Sequence, residues 1–569
     1  MPRRTSRRIP AVITLIAAAG LVVTVGAAPG AGAAGSVSFS ATYVSKTLGG
    51  GEPFVIYSHA KHDLIFSAHE STTLLNRNGL TSPGSSCDFQ TGTGYLCSYN
   101  NEVNVWYSTD QGKTWQTSAL NPLYLGFSDP SLTEDAGGRI YDTGIDLAND
   151  ALFSTDDGGR NFSTGTPQCH DGDRPWLAGG QPNEVFLSTD TVEGPTSGHE
   201  IFHSSDGGAS CDQTGIADTG DAGNGLSYSG YGQLYYNHQN GTLIEPADWY
   251  DSNSVVHGVG ISTLANASHA WTGSGTFVPH EAAKNTTQLG HWPAIAIDNG
   301  GTTYLVWDTN ARNATSKSGC DTRIPNAIGG PALQANSVML AYTRDGGKTW
   351  SGPYTVAHPG TTVLWPWVVA GSPGHIAVSW YQGDQLTDPD CDSAALASGG
   401  HPTKWTIRAA LIPTATSASS YPTSSINVVP TDAKHPGGVF HVGGICQGGT
   451  TCFVTGQDRR LGDYFTNAID AAGCLMIATG DTMLTDSTTG GDFAQSRPLF
   501  IRQTSGTSLT GQSCAAPTTS VAAVKRTAAA SAPSRGLANT GEPGSIAVIA
   551  LLAVATGGAI ALTRSLARR

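Results

Sequence analysis

Four copies of one short pattern constrain this chain more than any other feature of its sequence. The first is Ser108-Thr109-Asp110-Gln111-Gly112-Lys113-Thr114-Trp115, the second Thr155-Asp156-Asp157-Gly158-Gly159-Arg160-Asn161-Phe162. The third is Ser204-Ser205-Asp206-Gly207-Gly208-Ala209-Ser210-Cys211, and the fourth Thr343-Arg344-Asp345-Gly346-Gly347-Lys348-Thr349-Trp350. Each has a hydroxyl residue, an aspartate two positions on, a glycine two beyond that, and an aromatic three later; Cys211 alone replaces the aromatic. The hydroxyl and carboxylate can bond backbone N–H groups of their own turn, the glycine accepts positive φ, and the aromatic can pack beneath. The pattern therefore describes a recurring hairpin turn, and Asp110, Asp157, Asp206 and Asp345 read as structural.

A second signature repeats around these turns: a short strand, often opened by proline, then a glycine-containing turn and a strand rich in aromatic and β-branched residues. It is clearest at His291-Trp292-Pro293 through Asp298, followed by Thr302 to Trp307 and by Ser337 to Tyr342, which run into the fourth turn, with Tyr354-Thr355-Val356 beyond it. Related stretches begin at Pro53, Pro130, Pro175, Pro366 and Asp463, with a weaker one from Tyr228 to Tyr236. Proline at the head of a strand costs no ladder bond that an inner edge needs. Seven units of four antiparallel strands are read, so the fold class is all-β and a β-propeller over residues 35–515.

The four turns match the Asp box, or bacterial neuraminidase repeat, and the chain resembles the sialidase-like β-propellers. That resemblance implies boxes between the outer two strands of a blade, on the face away from the active site. It also implies six blades, which leaves six as the alternative count, with the weak fourth unit as an insertion. The active site it implies contains an arginine triad, an aspartate acid/base, and a tyrosine nucleophile assisted by a glutamate. The family's early arginine motif is absent where the chain reads Gly51-Glu52-Pro53-Phe54, and Arg323-Ile324-Pro325 falls in a loop too late in the chain.

Residues at or just before the first strands converge on the axis, and in this chain they are polar. They are Glu52, Asp129, Asp173, Arg174, His291, Trp292, Trp365, Arg459, Arg460, Asp463 and Tyr464. Carboxylates suit acid/base work, arginine a bidentate carboxylate clamp, and aromatic faces a pyranose ring. Asp129 is assigned as acid/base and Tyr464 as nucleophile. Arg174 and Arg460 are assigned to one anionic group, with Asp173, Asp463, Glu52, His291, Trp292 and Trp365 as further contacts. Trp292 and Trp365 read first as blade packing and second as sugar platforms. Long connections on the same face, 70–101, 308–336 and 383–404, frame this site.

The ends and the cysteines place the chain. Arg3, Arg4, Arg7 and Arg8 precede an apolar run and small residues near Ala34, which is a secretory signal peptide over residues 1–34. Residues 516–536 form an Ala/Ser/Thr/Pro-rich spacer. Leu537-Ala538-Asn539-Thr540-Gly541, an apolar segment over 545–562 and a tail with Arg564, Arg568 and Arg569 follow. That order resembles the actinobacterial cell-wall sorting signal, over residues 537–569. The resemblance implies sortase cleavage after Thr540, a transient membrane anchor and covalent attachment to peptidoglycan. An extracellular, wall-anchored monomer is expected. Its 10 cysteines should then be paired. Sequence leaves the connectivity open; neighbour pairing gives Cys87–Cys97, Cys169–Cys211, Cys320–Cys391, Cys446–Cys452 and Cys474–Cys514. No cysteine–histidine cluster points to a metal, and no cofactor is expected. The formal net charge of −14 and the lack of a basic stripe argue against nucleic acid. Two functions stay open: an exo-glycosidase on terminal acidic sugars of extracellular glycans, and a non-catalytic propeller that binds glycan or protein.

Overall fold

Seven small antiparallel sheets follow one another along the chain and form a seven-bladed propeller. The structure is a computed structural model. It describes residues 36–515 apart from 71–102, 120–127, 310–334, 390–401, 450–457, 485–494 and shorter breaks. The expected signal peptide, spacer and sorting signal, including Thr540, lie outside the described residues. Among the described residues the α-helical content is one short piece, Ala267–Ala270, and no helix is long and apolar enough to cross a membrane.

The inner strands of blades one to seven are Gly51–Tyr57, Ser128–Glu134, Asp173–Gly179, Tyr235–Asn237, Ala294–Ile297, Val363–Ala370 and Thr466–Ile469. They touch their neighbours from blade five through six, seven, one, two and three to four, and blade four meets blade five through its second strand, so the ring is continuous. Alternating apolar residues fill the spaces between blades, with Ile65, Val105, Phe186, Leu305, Val378 and Ile477 each buried. The expected plan holds at blades one, three and five, where a box joins the third strand to the fourth. Blade two keeps three full strands, its fourth reduced to a bridge between Leu152 and Thr166.

The seven-unit reading holds and the six-blade alternative does not: the fourth unit is a full blade and not an insertion, built from Tyr235–Asn237, Thr242–Asp251, Val256–Leu264 and Val278–Lys284. The Tyr228 region is a hairpin, Asp221–Gly223 with Leu226–Ser229, that pairs with the far end of the long second strand. The outer strand of blade seven comes from the other end of the chain: Phe39–Tyr43 pairs antiparallel with Arg497–Gln503, from Phe39 opposite Gln503 to Tyr43 opposite Leu499.

The boxes are self-contained turns. In the first, Asp110 Oδ1 accepts from Ser108 Oγ at 2.8 Å and from Thr114 N at 2.9 Å, while Gly112 N donates to Ser108 Oγ at 2.9 Å. Gly112 has φ 84°, and a Cβ there would lie 2.2 Å from the Phe500 ring, so both backbone and space require glycine. Trp115 packs against Phe66 and Phe500, tying blade one to blade seven. The same bonds recur around Asp206 and Asp345, and Asp157 caps its turn through Arg160 N and Asn161 N. Where Cys211 replaces the aromatic, it is bonded to Cys169, so a disulfide holds the turn instead. Cys474 pairs with Cys514, and Cys446 is disulfide-bonded. Cys87, Cys97, Cys320, Cys391 and Cys452 lie outside the described residues.

Candidate functional site at the propeller axis

Strain in the described strands gathers at one place. Glu52, Asp129, Arg174 and Trp365 have φ values of 47°, 52°, 60° and 53°, and each immediately precedes a proline at the head of an inner strand. The proline ring disfavours helical conformations in the residue before it, and a left-handed non-glycine residue costs of order 1–3 kcal/mol. Each site coincides with a break in strand register, between Gly51 and Phe54, Ser128 and Ser131, Leu364 and Trp367, and opposite Arg174 between Ser188 and Asp190. The bulge turns the side chain from the blade toward the axis. The other described non-glycine residues with positive φ, His62, Gln111, Asn183 and Asn266, sit in turns or at a helix start.

Glu52 is the hub of the cluster and has no exposed surface. Its Oε2 accepts from Asp129 N at 3.0 Å and lies 3.0 Å from Ser128 Oγ and 3.3 Å from His69 Nε2. Its Oε1 accepts from Asp463 N at 3.0 Å and lies 3.5 Å from Arg459 Nη2. Burial alone would raise its pKa, but His69 and Arg459 outweigh burial and hold Glu52 ionised, near 2. Expected among the substrate contacts, Glu52 is instead enclosed by protein groups.

Asp129 has the opposite charge state. Burial, and then the neighbouring Glu52 and Asp173 carboxylates, push its pKa well above the usual carboxylate range. The hydrogen bonding agrees. Ser128 Oγ lies 2.7 Å from Asp129 Oδ1 as well as beside Glu52, and one hydroxyl proton cannot serve both. A proton on Asp129 completes the chain, Asp129 to Ser128 to Glu52. Asp463 is fixed as an anion: against the upward pull of burial, the Arg459 guanidinium and His291 hold it far below the ordinary range. Arg459 grips it with both terminal nitrogens, at 2.5 and 2.8 Å, and His291 Nε2 lies 2.8 Å from Oδ1.

The two arginines assigned to one anion are placed differently. Arg460 is buried and grips Asp458 through Nε at 3.0 Å and Nη2 at 2.7 Å, so its fork is turned to a protein carboxylate. Its neighbour Arg459 reaches the axial cluster instead. Arg174 is held loosely: Nη1 is 3.5 Å from Asp190 Oδ2, Nε is 3.9 Å from Asp173 Oδ2, and the guanidinium carbon lies 5.5 Å from the Trp292 ring centre. Its side chain remains 39% accessible and that of Asp173 49%, although protein crowds both, so each keeps a solvent-facing surface. Arg174 stays cationic beside Asp173 and Asp190. Burial raises the pKa of Asp173, with Arg174 opposing and Asp190 adding.

His291, Trp292, Trp365 and Tyr464 line a small recess with Trp176 and Trp367. Trp292 and Trp365 are largely buried; Trp292 meets Trp176 edge-on, and Trp365 Nε1 donates to Gln447 at 3.0 Å, so both pack the blades at the recess wall. Tyr464 donates its phenol to the Pro130 carbonyl at 2.7 Å, and burial followed by Glu52 and Asp129 pushes its pKa well up. The phenol is therefore neutral and engaged. Sequence reasoning passed over His69, Asp190 and His199. They end second strands or begin a third, Leu64–His69, Val185–Asp190 and His199–Ser204, which reach the same face as the inner-strand starts. Polar residues at those ends were the signal available.

No known family model matches the chain, and no curated protein does. Among solved structures, a protein of unknown function from Dyadobacter fermentans DSM 18053 aligns at 13% identity and TM-score 0.39, over 82% of this chain and 98% of that one. Hadza microbial sialidase Hz136 aligns at 16% identity and TM-score 0.34, over 79% of this chain and 65% of the sialidase. A PL25 ulvan lyase aligns at 10% identity and TM-score 0.41, over 81% and 94%. At these identities and scores the likenesses carry no argument about activity, which has to come from the axial residues.

Proposed function

We propose that the axial cluster is the active site of an exported glycoside hydrolase acting on terminal acidic sugars of extracellular glycans. The observation that carries this reading is the buried carboxyl pair Asp129 and Glu52, bridged by the Ser128 hydroxyl and by Asp129 N, together with the solvent-facing Arg174; burial and Glu52 favour the protonated form of Asp129. A carboxyl group kept neutral can protonate a leaving glycosidic oxygen, and a loosely held guanidinium can take a sugar carboxylate bidentately. Asp173, also solvent-facing, is the second carboxylate available to the reaction. Tyr464 fits the nucleophile role only if substrate draws its phenol from Pro130.

That last condition supports a second reading, a non-catalytic propeller that binds glycan at the same axial residues. Purified protein is to be tested on fluorogenic glycosides, sialosides included, and on a glycan array. Turnover of an acidic glycoside is expected; tight array binding with no turnover on any substrate favours the binding propeller instead. Export and wall attachment through Thr540 belong to the same proposal, on the sequence order at the two ends. Thr540→Ala is expected to move the protein from the wall fraction to the membrane or medium, and a variant still wall-bound after denaturing extraction rules sortase attachment out.

A further inference from the structure

Three arginines at this end of the propeller are committed to carboxylates to different degrees. Arg459 and Arg460 each make contacts of 2.8 Å or shorter with Asp463 and Asp458, whereas Arg174 comes no nearer than 3.5 Å to Asp190. The cause lies behind Asp190. Its other oxygen, Oδ1, is 2.8 Å from His199 Nδ1, and His199 Nε2 is 2.9 Å from Glu245 Oε2. Asp190 and His199 are directly opposed on neighbouring strands of blade three, and Glu245 comes from the second strand of blade four. The Tyr231 ring lies parallel to the imidazole, with centres 3.8 Å apart, and fixes its plane.

We propose that Asp190, His199 and Glu245 form a buried positioning relay that keeps Arg174 free for an anionic ligand, making Arg174 the residue that selects acidic over neutral sugars. This rests on the reading of the axis as a sugar site. An imidazole with a carboxylate oxygen at each nitrogen donates from both and carries a charge. Burial would lower its pKa, but Glu245 and Asp190 raise it to about 10, so the cation persists at neutral pH. Asp190 is then shared between two cations, and the buried imidazolium holds the larger share. Arg174 is left anchored in direction but incompletely neutralised, the state in which a ligand carboxylate can displace the protein's own.

The test changes the relay without touching Arg174. The double variant His199→Gln/Glu245→Gln removes the imidazolium together with its buried counter-charge, so no unpaired ion is left behind. Asp190 should then close on Arg174. Two quantities are read: proton exchange of the Arg174 guanidinium in 15N-arginine-labelled protein, and the ratio of affinities for N-acetylneuraminic acid and its methyl ester by titration calorimetry. The double variant should slow exchange and lower the ratio by about fivefold, the upper scale of a partly exposed ion pair. Asp190→Asn should do the opposite on both. A residue with only a structural role would change stability without these opposed signs. If exchange shifts in opposite directions while wild-type protein binds acid and ester alike, the relay stands and the acidic-sugar reading falls. If wild-type protein prefers the acid and neither variant alters exchange or ratio, the relay is wrong and the sugar site stands.

Discussion

The acid role proposed for Asp129 depends on what surrounds it. A free aspartate is ionised at neutral pH, but this one is buried beside Glu52, which His69 and Arg459 keep negative, so a second charge is disfavoured. The neutral form of Asp129 is present below its raised pKa and lost as pH rises through it. As the general acid it would therefore give kcat/KM a falling basic limb, and its burial as a neutral group favours folding less as pH rises through the same range. Asp129→Asn keeps the shape and removes the proton. A loss of roughly 10²–10⁴ in kcat/KM is expected for substrates with poor leaving groups, with a much smaller loss for aryl glycosides that leave without protonation. The basic limb should disappear. Equal losses on both substrate types with an unchanged pH profile would show that Asp129 does not protonate the leaving group.

Strands and turns divide the labour along their length, with boxes at one end of blades one, two, three and five and the candidate site at the other. Asp345 is exposed and acts through the bonds it accepts from Thr349 N, Thr349 Oγ1 and Thr343 Oγ1. Asp345→Ala should lower the melting temperature and leave kcat/KM unaltered at temperatures where the variant is folded. Trp115→Ala removes an indole set between Phe66 and Phe500 and should cost about 3 kcal/mol in urea unfolding. A fall in kcat/KM for folded Asp345→Ala would give the box a functional role. These turns were legible in the sequence because their side chains bond their own backbone, a local code. Blade four was only weakly legible, because its third and fourth strands join without a box, through the Ala267–Ala270 helix and Trp271, which packs on Phe186. Half of the axial site was legible for a similar reason. Proline marks Glu52, Asp129, Arg174 and Trp365, but nothing local marks Asp190 or His199, whose role depends on neighbouring strands and blades. Nor could adjacent residues be told apart: Arg459 and Arg460 face different carboxylates, and only the fold decides which one meets the axis.

At the scale of the molecule, the ring closes where the acid cluster is made. Blade seven takes its outer strand, Phe39–Tyr43, from the N-terminal end of the described residues, and the link onward into blade one is pinned by Val44 N to Pro498 O and Gly50 N to Ser496 O. Immediately beyond, Glu52 N donates to Leu461 O, and the Glu52 side chain receives Asp463 N and Arg459 from the far end of the chain. Thus the carboxylate that keeps Asp129 protonated is itself held by residues about 400 positions away, and the site should exist only in the closed ring. Closure also covers the Arg497–Gln503 strand, which would otherwise be an edge open to pairing with other chains. Purified protein lacking residues 36–44 should self-associate on size exclusion and exchange its 497–503 amides rapidly. Its activity should fall by far more than its remaining folded fraction accounts for, since Glu52 loses its fixed partners. A monodisperse truncated protein with full kcat/KM would show that the axial site is assembled by the blades alone and owes nothing to closure.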